Sequence, residues 1–239
     1  MSALADPGAN RRGRRPTDDG AAPPPGELAK TLGTRVLPAL VVWFVVLAGV
    51  GYLFGHSLGS SITAEDAVSR WFAAHRSAGW NAATNVMSLV ANTGTIIISM
   101  IAACLIAWRI SHRLRDVLPV AVGVIGQAGV FLVTTLLIDR ERPEVPKLDE
   151  SPPTSSFPSG HTGAASALYF GLVILCLRRF PSVGARVVTA VVFGLIPFAV
   201  AIARLYRGMH HPSDVVFGML NGTVCATIAY LALRPARRP

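Results

Sequence analysis

Charged residues are scarce in this sequence. Asp, Glu, Lys and Arg make up 15% of its 239 residues and hydrophobic residues make up 51%, whereas a typical soluble domain is about 25% charged. This composition argues against a water-soluble globular protein. It indicates that lipid is the main solvent of the folded chain.

Cysteine is scarce as well. The chain has three, Cys104, Cys176 and Cys225, and each lies within an apolar run. They lack the spacing of a metal site and the number and pattern of a disulfide framework. We expect free thiols that pack as small hydrophobic side chains.

Long runs without charge are what the sequence has instead. A membrane-spanning helix needs about 20 apolar residues, and at least about 17, and an open sheet cannot satisfy its backbone in hydrocarbon. The sequence therefore predicts an all-α, polytopic membrane protein, a bundle of six transmembrane helices. The fourth run is short, and we expect its polar ends to extend it. The runs are Val36 to Phe54, Val86 to Trp108, Val117 to Ile138, Thr162 to Leu177, Val187 to Ala203 and Val215 to Leu233.

Composition divides the chain into three parts. Residues 1–34 are rich in Pro, Gly, Ala and Arg, with almost no large apolar residue before Leu28, which predicts a disordered segment. Residues 35–233 form the membrane domain, and residues 234–239 form a short basic tail. No small-residue cleavage pattern follows the first apolar run, so we expect it to stay as a span and not to be a cleaved signal peptide.

The distribution of basic residues predicts the orientation. Of the 22 Lys and Arg residues, 15 lie on the side that holds both termini, and cytoplasmic loops carry the excess of positive charge. We therefore expect a plasma-membrane protein with both termini in the cytoplasm and the odd-numbered loops outside. The net charge of +9 is then mainly a topology signal, and a nucleic-acid partner is not expected.

The first outer loop has the pattern of a short interfacial helix. Thr63 is suited to cap it, and Trp71 and Trp80 are expected at the depth of the lipid headgroups. Such a helix serves either as a surface anchor or as a gate for a lipid substrate, and the sequence leaves both roles open.

Ionisable residues gather in the third and fifth outer loops. These loops hold five of the seven outer basic residues and three of the six histidines. All lie near the ends of predicted spans, where unpaired charge is costly. The pattern predicts a shared polar site at the outer ends of spans three to six.

The segment 155–166 suggests an anion site in that region. Ser159 is a good N-cap residue and Gly160 allows close backbone approach, so the amides near His161 would point outward from the positive end of a helix. Helix N-termini of this kind bind phosphate. The alternative is that Ser159 is only a cap and His161 only an interfacial ring.

The spacing of Arg204, His210 and Asp214 suggests a nucleophile. Pro212 suits the first turn of a helix, which places Asp214 inside that turn and His210 just before it. The carboxylate could then bond one imidazole nitrogen and leave the other free to attack. A simple capping pair is the alternative. His211 lacks a partner at that spacing and is expected to be an interfacial neighbour.

Together these residues resemble the type 2 phosphatidic acid phosphatase superfamily, integral membrane lipid phosphatases whose site is related to that of vanadium haloperoxidases. The signature of the family has three parts: Lys, six residues, Arg-Pro; Pro-Ser-Gly-His; and Ser-Arg, five residues, His, three residues, Asp. The second part is complete here. The matching residues are Arg142, Pro143, Pro158, Ser159, Gly160, His161, Arg204, His210 and Asp214.

Two positions depart from the signature. Thr135 stands in place of the Lys, and Ala203 stands in place of the leading Ser. A charge-assisted contact is worth about 1.5–3 kcal/mol, so the loss of the Lys would weaken phosphate binding unless Arg140 substitutes for it.

The resemblance implies a phosphatase that needs no metal and no cofactor. His210, held by Asp214, would attack phosphorus to form a phosphohistidine, and His161 would protonate the leaving lipid oxygen and then activate water. The implied substrate-binding residues are Arg140, Arg142, Ser159, Gly160 and Arg204.

The resemblance leaves the substrate open. An outward site favours a polyprenyl diphosphate, with phosphatidate or phosphatidylglycerol phosphate as the alternative, and transfer of phosphate to an acceptor other than water is also open. A transporter would bind its substrate near the bilayer midplane, whereas these residues lie at the ends of spans. A catalytically weak lipid-binding relative would fit Thr135 and Ala203, and phosphate release from a lipid distinguishes it from an enzyme.

Overall fold

The structure is a computed structural model that describes residues 23–56, 59–151 and 153–234. Within these ranges the chain forms nine α-helices and no strand, so the all-α prediction is confirmed. A π-helical turn (Leu32–Val36) joins the first two helices. The helices are α1 (Pro25–Thr31), α2 (Leu37–His56), α3 (Gly59–Ala74), α4 (Ala78–Val90), α5 (Thr93–Ser111), α6 (Leu114–Leu137), α7 (Gly160–Arg179), α8 (Val183–Tyr206) and α9 (Pro212–Leu233).

Six helical segments of the described chain are long and apolar enough to cross a membrane, which confirms the predicted number. A helix satisfies most of its backbone hydrogen bonds internally, as hydrocarbon requires, and the internal prolines Pro119 and Pro197 lack the donor. The six segments are Pro25–Gly55, Thr93–Ser111, Leu114–Leu137, Gly160–Arg179, Val183–Tyr206 and Pro212–Leu233.

The second span begins later than the sequence predicted. The helix breaks next to Asn92, whose side chain accepts a hydrogen bond of 2.8 Å from the amide of Thr95 and caps α5. The segment from Val86 to this break belongs to α4. The prediction was wrong because Asn92 is uncharged, so the apolar run continued across a helix boundary.

Part of the segment predicted to be disordered, residues 25–34, is helical. Residues 25–34 belong to α1 and the π-helical turn, and they extend the first span toward the N-terminus. Pro25 occupies the first position of α1, where its missing N–H costs nothing. Residues 1–22 of that prediction, and the tail beyond Arg234, lie outside the described residues.

The first loop holds two helices, α3 and α4, where the sequence predicted one short helix. Thr63 lies inside α3, which begins at Gly59, and so is not at the N-cap position. Trp71 and Trp80 are exposed, and their depth in the membrane stays a prediction.

The centre of the bundle is formed by α6, α7 and α9, with α8 packed on α7. The α7 and α9 backbones approach closely because both carry glycine at the contact. A Cβ at Gly222 would lie 2.2 Å from the carbonyl oxygen of Gly163. This contact places the N-terminal ends of α7 and α9 side by side. We call this end of the bundle the site end.

The opposite end, where α7 and α9 finish and α6 begins, is rich in arginine. It encloses a cavity of about 180 Å³ lined by Arg113, Arg115, Arg178, Arg179 and Arg234. Five of the fifteen basic residues that the sequence assigned to one side therefore lie at this end of the bundle. Which end faces the cytoplasm stays a prediction.

The three cysteines are free thiols, as expected. Cys225 is buried, and Cys104 and Cys176 are half-buried. All three lie on membrane-spanning helices.

Candidate active site

A cavity of about 720 Å³ opens at the site end. Its lining includes His161 from the first turn of α7, Arg204 from the last turn of α8, His210 from the turn before α9, and Arg142 from the loop between α6 and α7. The fold thus brings together four residues that are up to 68 positions apart in the sequence.

His210 is held in the form that a nucleophile needs. Its ring is 4% exposed, and Nδ1 donates a hydrogen bond of 2.8 Å to the carbonyl oxygen of Ser156. Because a carbonyl only accepts, the proton lies on Nδ1 and the lone pair on Nε2. Burial lowers the pKa of His210 to about 4, against the opposing effect of Asp214. The ring is therefore neutral near pH 7.

Asp214 holds His210 less directly than the spacing predicted. Its Oδ2 lies 3.8 Å from Nδ1 of His210, which is too far for a hydrogen bond. The fully buried carboxylate instead accepts hydrogen bonds from Nη1 of Arg140, from Oγ of Ser156 at 2.5 Å and from the amide of His211 at 2.8 Å. Ser156, which the sequence analysis missed, therefore links Asp214 to His210 through its side chain and its carbonyl.

The start of α9 follows the sequence prediction in most respects. Pro212 is the first residue of the helix, and Asp214 lies in its first turn. His211 is buried, at 3% exposed, and has a partner that the spacing did not show: its Nε2 lies 3.2 Å from Oδ1 of Asp66. The partner comes from α3, far from His211 in the sequence, so local spacing could not reveal it.

The start of α7 differs in detail from the prediction. Ser159 is the N-cap residue, but its side chain accepts no hydrogen bond from a backbone amide. Its hydroxyl instead pairs with that of Thr162 at 2.8 Å. Gly160 lines the cavity, and the close approach it allows is to Phe131, whose ring would lie 2.8 Å from a Cβ at this position. Binding of an anion by these amides stays a prediction.

Arg142 and Arg204 are each held by hydrogen bonds, but each also has a buried donor without an acceptor among the described residues. Nη1 of Arg142 donates to the carbonyl of Met209 at 2.8 Å, and Nη1 of Arg204 donates to Ser88 and to Asp149, both at 2.6 Å. The Nε–H groups of both arginines are buried and have no acceptor among the described residues. Buried donors are rarely left unpaired, and an anion between these arginines could supply acceptors.

Asp149 is a further residue that the sequence analysis missed. Its carboxylate lines the cavity and bonds Arg204 at 2.6 Å and Arg207 at 2.5 Å. Burial alone would raise the pKa of Asp149, but hydrogen bonds and charge from the two arginines hold it below its usual range. The carboxylate is therefore ionised beside the site.

Arg140 lies in a different place from the one the resemblance implied. It is 5% exposed, and it does not contribute to the lining of the cavity. Nη2 of Arg140 donates a hydrogen bond of 2.6 Å to Oε2 of Glu65. Nη1 donates to Oδ1 of Asp214 and, at 2.7 Å, to Oγ of Ser213. Two carboxylates thus hold the guanidinium on the far side of Asp214.

The cavity wall between α5 and α6 is apolar. It includes Ile97, Ile125 and Leu132, which are also 46%, 64% and 55% exposed on the outer surface of the bundle. These side chains border both the cavity and the surroundings of the protein. A hydrocarbon chain could therefore lie between α5 and α6 while its polar end reaches the histidines.

A family model described as the PAP2 superfamily matches residues 116–238, slightly more than half of the chain. The chain belongs to the PAP2 superfamily. The matched part contains all eight residues that the sequence analysis proposed for the site, from Arg140 to Asp214.

Two PAP2 relatives of known activity are similar to the chain. A decaprenylphosphoryl-5-phosphoribose phosphatase of Mycobacterium tuberculosis is 28% identical over 132 residues, which are 54% of this chain and 68% of the relative. Phosphatidylglycerophosphatase B of Bacillus subtilis is 32% identical over 87 residues, 36% of this chain. That match spans 42% of the length of the Bacillus protein.

Two crystal structures share the fold. The first is a transmembrane PAP2-type phosphatidylglycerolphosphate phosphatase from Bacillus subtilis, with a TM-score of 0.69 and 20% identity over 80% of this chain and 92% of that one. The second is LpxE of Aquifex aeolicus, with a TM-score of 0.54 and 20% identity over 67% and 91%. The likeness identifies the helical bundle as the PAP2 membrane fold.

Proposed function

We propose that the protein is a lipid phosphatase that acts through a phosphohistidine and needs no metal or other cofactor. The observation that carries the proposal is the cavity at the site end. There a neutral, oriented His210, together with His161 and two arginines, meets an apolar wall open between α5 and α6. A lipid phosphate has the same two parts, a charged head and a hydrocarbon tail. The phosphatase names of the PAP2 relatives support the same reaction.

The reaction takes two steps. Nε2 of His210 attacks phosphorus, the bond from phosphorus to the lipid oxygen breaks, and His161 gives that oxygen a proton. Water then gives a proton to His161 and attacks phosphorus, the phosphorus–nitrogen bond breaks, and inorganic phosphate leaves. Arg142 and Arg204 stabilise the equatorial oxygens in both transition states. Because Nδ1 keeps its proton, the phosphorylated ring is a cation, which the nearby charge of Asp214 stabilises.

The charges that line the cavity suit the terminal phosphate of a lipid. Arg142 and Arg204 contribute cations, and Asp149 and Glu150 contribute carboxylates, of which Asp149 is paired with Arg204 and Arg207. The polyprenyl diphosphate that the sequence analysis favoured stays a candidate substrate. The names of the relatives add a phosphatidylglycerol phosphate and a phosphorylated sugar on a polyprenyl phosphate, and a phosphatidate is a further candidate.

We further propose that the site end faces the outside of the plasma membrane and that both termini are cytoplasmic. The support is the gathering of arginines at the opposite end of the bundle, since positive charge is retained in the cytoplasm.

The decisive experiment measures phosphate release by the purified protein from a panel of lipid phosphates, with EDTA present throughout. We expect release from at least one of these lipids, and none from any lipid with the His210→Ala variant. If no lipid releases phosphate, the phosphatase proposal is wrong and a lipid-binding relative is the better description. If phosphate appears on an added alcohol and not in solution, the reaction is a transfer.

A further inference from the structure

The side of Asp214 that faces away from the cavity carries a second carboxylate. Oε2 of Glu65, from α3, accepts hydrogen bonds from Nη2 of Arg140 at 2.6 Å and from Oγ of Ser213 at 3.0 Å, and its Oε1 accepts one from the amide of Ser213 at 3.0 Å. The side chain of Glu65 is 16% exposed and that of Arg140 is 3% exposed. Arg140 thus lies between two carboxylates, with Asp214 on one side and Glu65 on the other.

Charge balance gives this arrangement a consequence for His210. Asp214 and Arg140 alone would cancel, and His210 would have a neutral pair 3.8 Å away. With Glu65 present, the three groups together carry one negative charge. In a buried site of low polarisability, this difference of one charge has a strong electrostatic effect on His210. The phosphorylated ring of His210 is a cation and needs such a negative charge nearby.

We propose that Glu65 is a positioning residue that keeps the Asp214–Arg140 pair net anionic and thereby stabilises the phosphohistidine at His210. The inference rests on the proposed phosphatase function. Glu65 lies outside the residues 116–238 that the family model matches, and it is not among the residues that line the cavity. Arg140 is a positioning residue in the same sense and does not bind the phosphate.

The test separates chemistry from phosphate binding. Glu65→Gln keeps the size of the side chain and removes its charge. We expect kcat to fall by at least about tenfold, equivalent to 1.36 kcal/mol of barrier, while the inhibition constant of inorganic phosphate stays unchanged. Arg140→Gln should also leave that inhibition constant unchanged, because its guanidinium does not reach the cavity. A large loss of phosphate affinity in either variant would overturn the proposal.

In the double variant Glu65→Gln/Arg140→Gln, the second substitution is expected to raise kcat and not to lower it further. Removing both charges returns a net charge of −1 to Asp214, so kcat should be higher than in Glu65→Gln alone. If Glu65 and Arg140 only held the fold together, the two substitutions would add and kcat would fall further. Such an additive loss would contradict the charge argument.

Three variants complete the experiment. Asp66→Asn makes the same change in the next residue of α3, where the carboxylate contacts His211 and not Arg140, and it should lower kcat far less than Glu65→Gln. Glu65→Asp keeps the charge and should retain most of kcat, even if Glu65→Gln lowers the melting temperature. Arg70→Gln, on the exposed side of α3, controls for loss of surface charge. An active wild type with unaffected kcat in Glu65→Gln overturns this inference alone, whereas an inactive wild type overturns the phosphatase proposal as well.

Discussion

The two ends of the helical bundle use arginine in different ways. At the site end, Arg204 and Arg207 are 4% and 5% exposed and share one carboxylate. At the arginine-rich end, the side chains of Arg113 and Arg179 are 31% and 33% exposed and share Asp116. Buried charge persists only where partners compensate its lost hydration, whereas exposed pairs cost and contribute little. The number of basic residues at each end therefore predicts the orientation of the bundle. The burial of the arginines distinguishes the end that holds the candidate site.

The largest expected contrast between the two ends is their accessibility in intact cells. In a background without the three native cysteines, Ser151→Cys near the site end should react with an impermeant thiol reagent, and Ser111→Cys at the other end should not. Labelling of both positions after permeabilisation is the control. The reverse pattern would place the site in the cytoplasm and contradict the extracytoplasmic assignment.

Within the site end, the two histidines should respond differently to substitution. His210→Ala should abolish phosphate release from every substrate, because no leaving group can replace the nucleophile. His161→Ala should slow a lipid alcohol leaving group by about 100-fold or more and nitrophenyl phosphate much less, because nitrophenolate leaves without a proton. Steady-state rates on both substrates test this. Equal losses on the two substrates would show that His161 does not act as the acid of the first step.

The shared carboxylates should differ in their contribution to stability. Asp149→Ala leaves Arg204 and Arg207 buried without that carboxylate and should cost about 3 kcal/mol of unfolding free energy. Asp116→Ala leaves half-exposed arginines and should cost less than about 1 kcal/mol. Thermal melting of both variants in one detergent compares them directly. Similar costs would mean that the two ends do not differ in the way their burial indicates.

The smallest expected effect is the contribution of His210 to the pH dependence of stability. Because burial lowers the pKa of His210 to about 4, the unfolded chain binds a proton near pH 6.5 that the folded protein binds only near pH 4. Stability should therefore fall as the pH falls through this range, and His210 should account for about 2 kcal/mol of that loss between pH 7 and pH 5. Melting temperatures of the wild type and His210→Gln at both pH values measure it. An equal pH dependence in the two proteins would contradict the lowered pKa.

Local spacing was enough to place His161 and His210 at the same end of the bundle. His161 and His210 lie at or just before helix starts, and Ser159 and Pro212 mark those starts in the sequence. Because both histidines lie at the N-terminal ends of spanning helices, the short motifs predicted that they lie at one end of the bundle. The number of spans followed from apolar length in the same way.

Contacts between distant segments could not be predicted. Glu65 and Asp149 reach the site from α3 and from an irregular loop, and neither belongs to a periodic pattern that assigns it a direction. Arg140 and Arg142 stand two positions apart in that loop, yet one faces Asp214 and the other the cavity. The backbone path of the loop between α6 and α7 determines this difference, and the residue types alone do not predict that path.

The group that sets the tautomer of His210 is the peptide carbonyl of residue 156. Every amino acid carries that carbonyl, so no replacement of Ser156 can delete it. Ser156→Ala would remove only the hydroxyl that reaches Asp214. The tautomer of His210, the proposed nucleophile, therefore depends on the path of the main chain, and a mutational scan of side chains would not remove the atom that sets it.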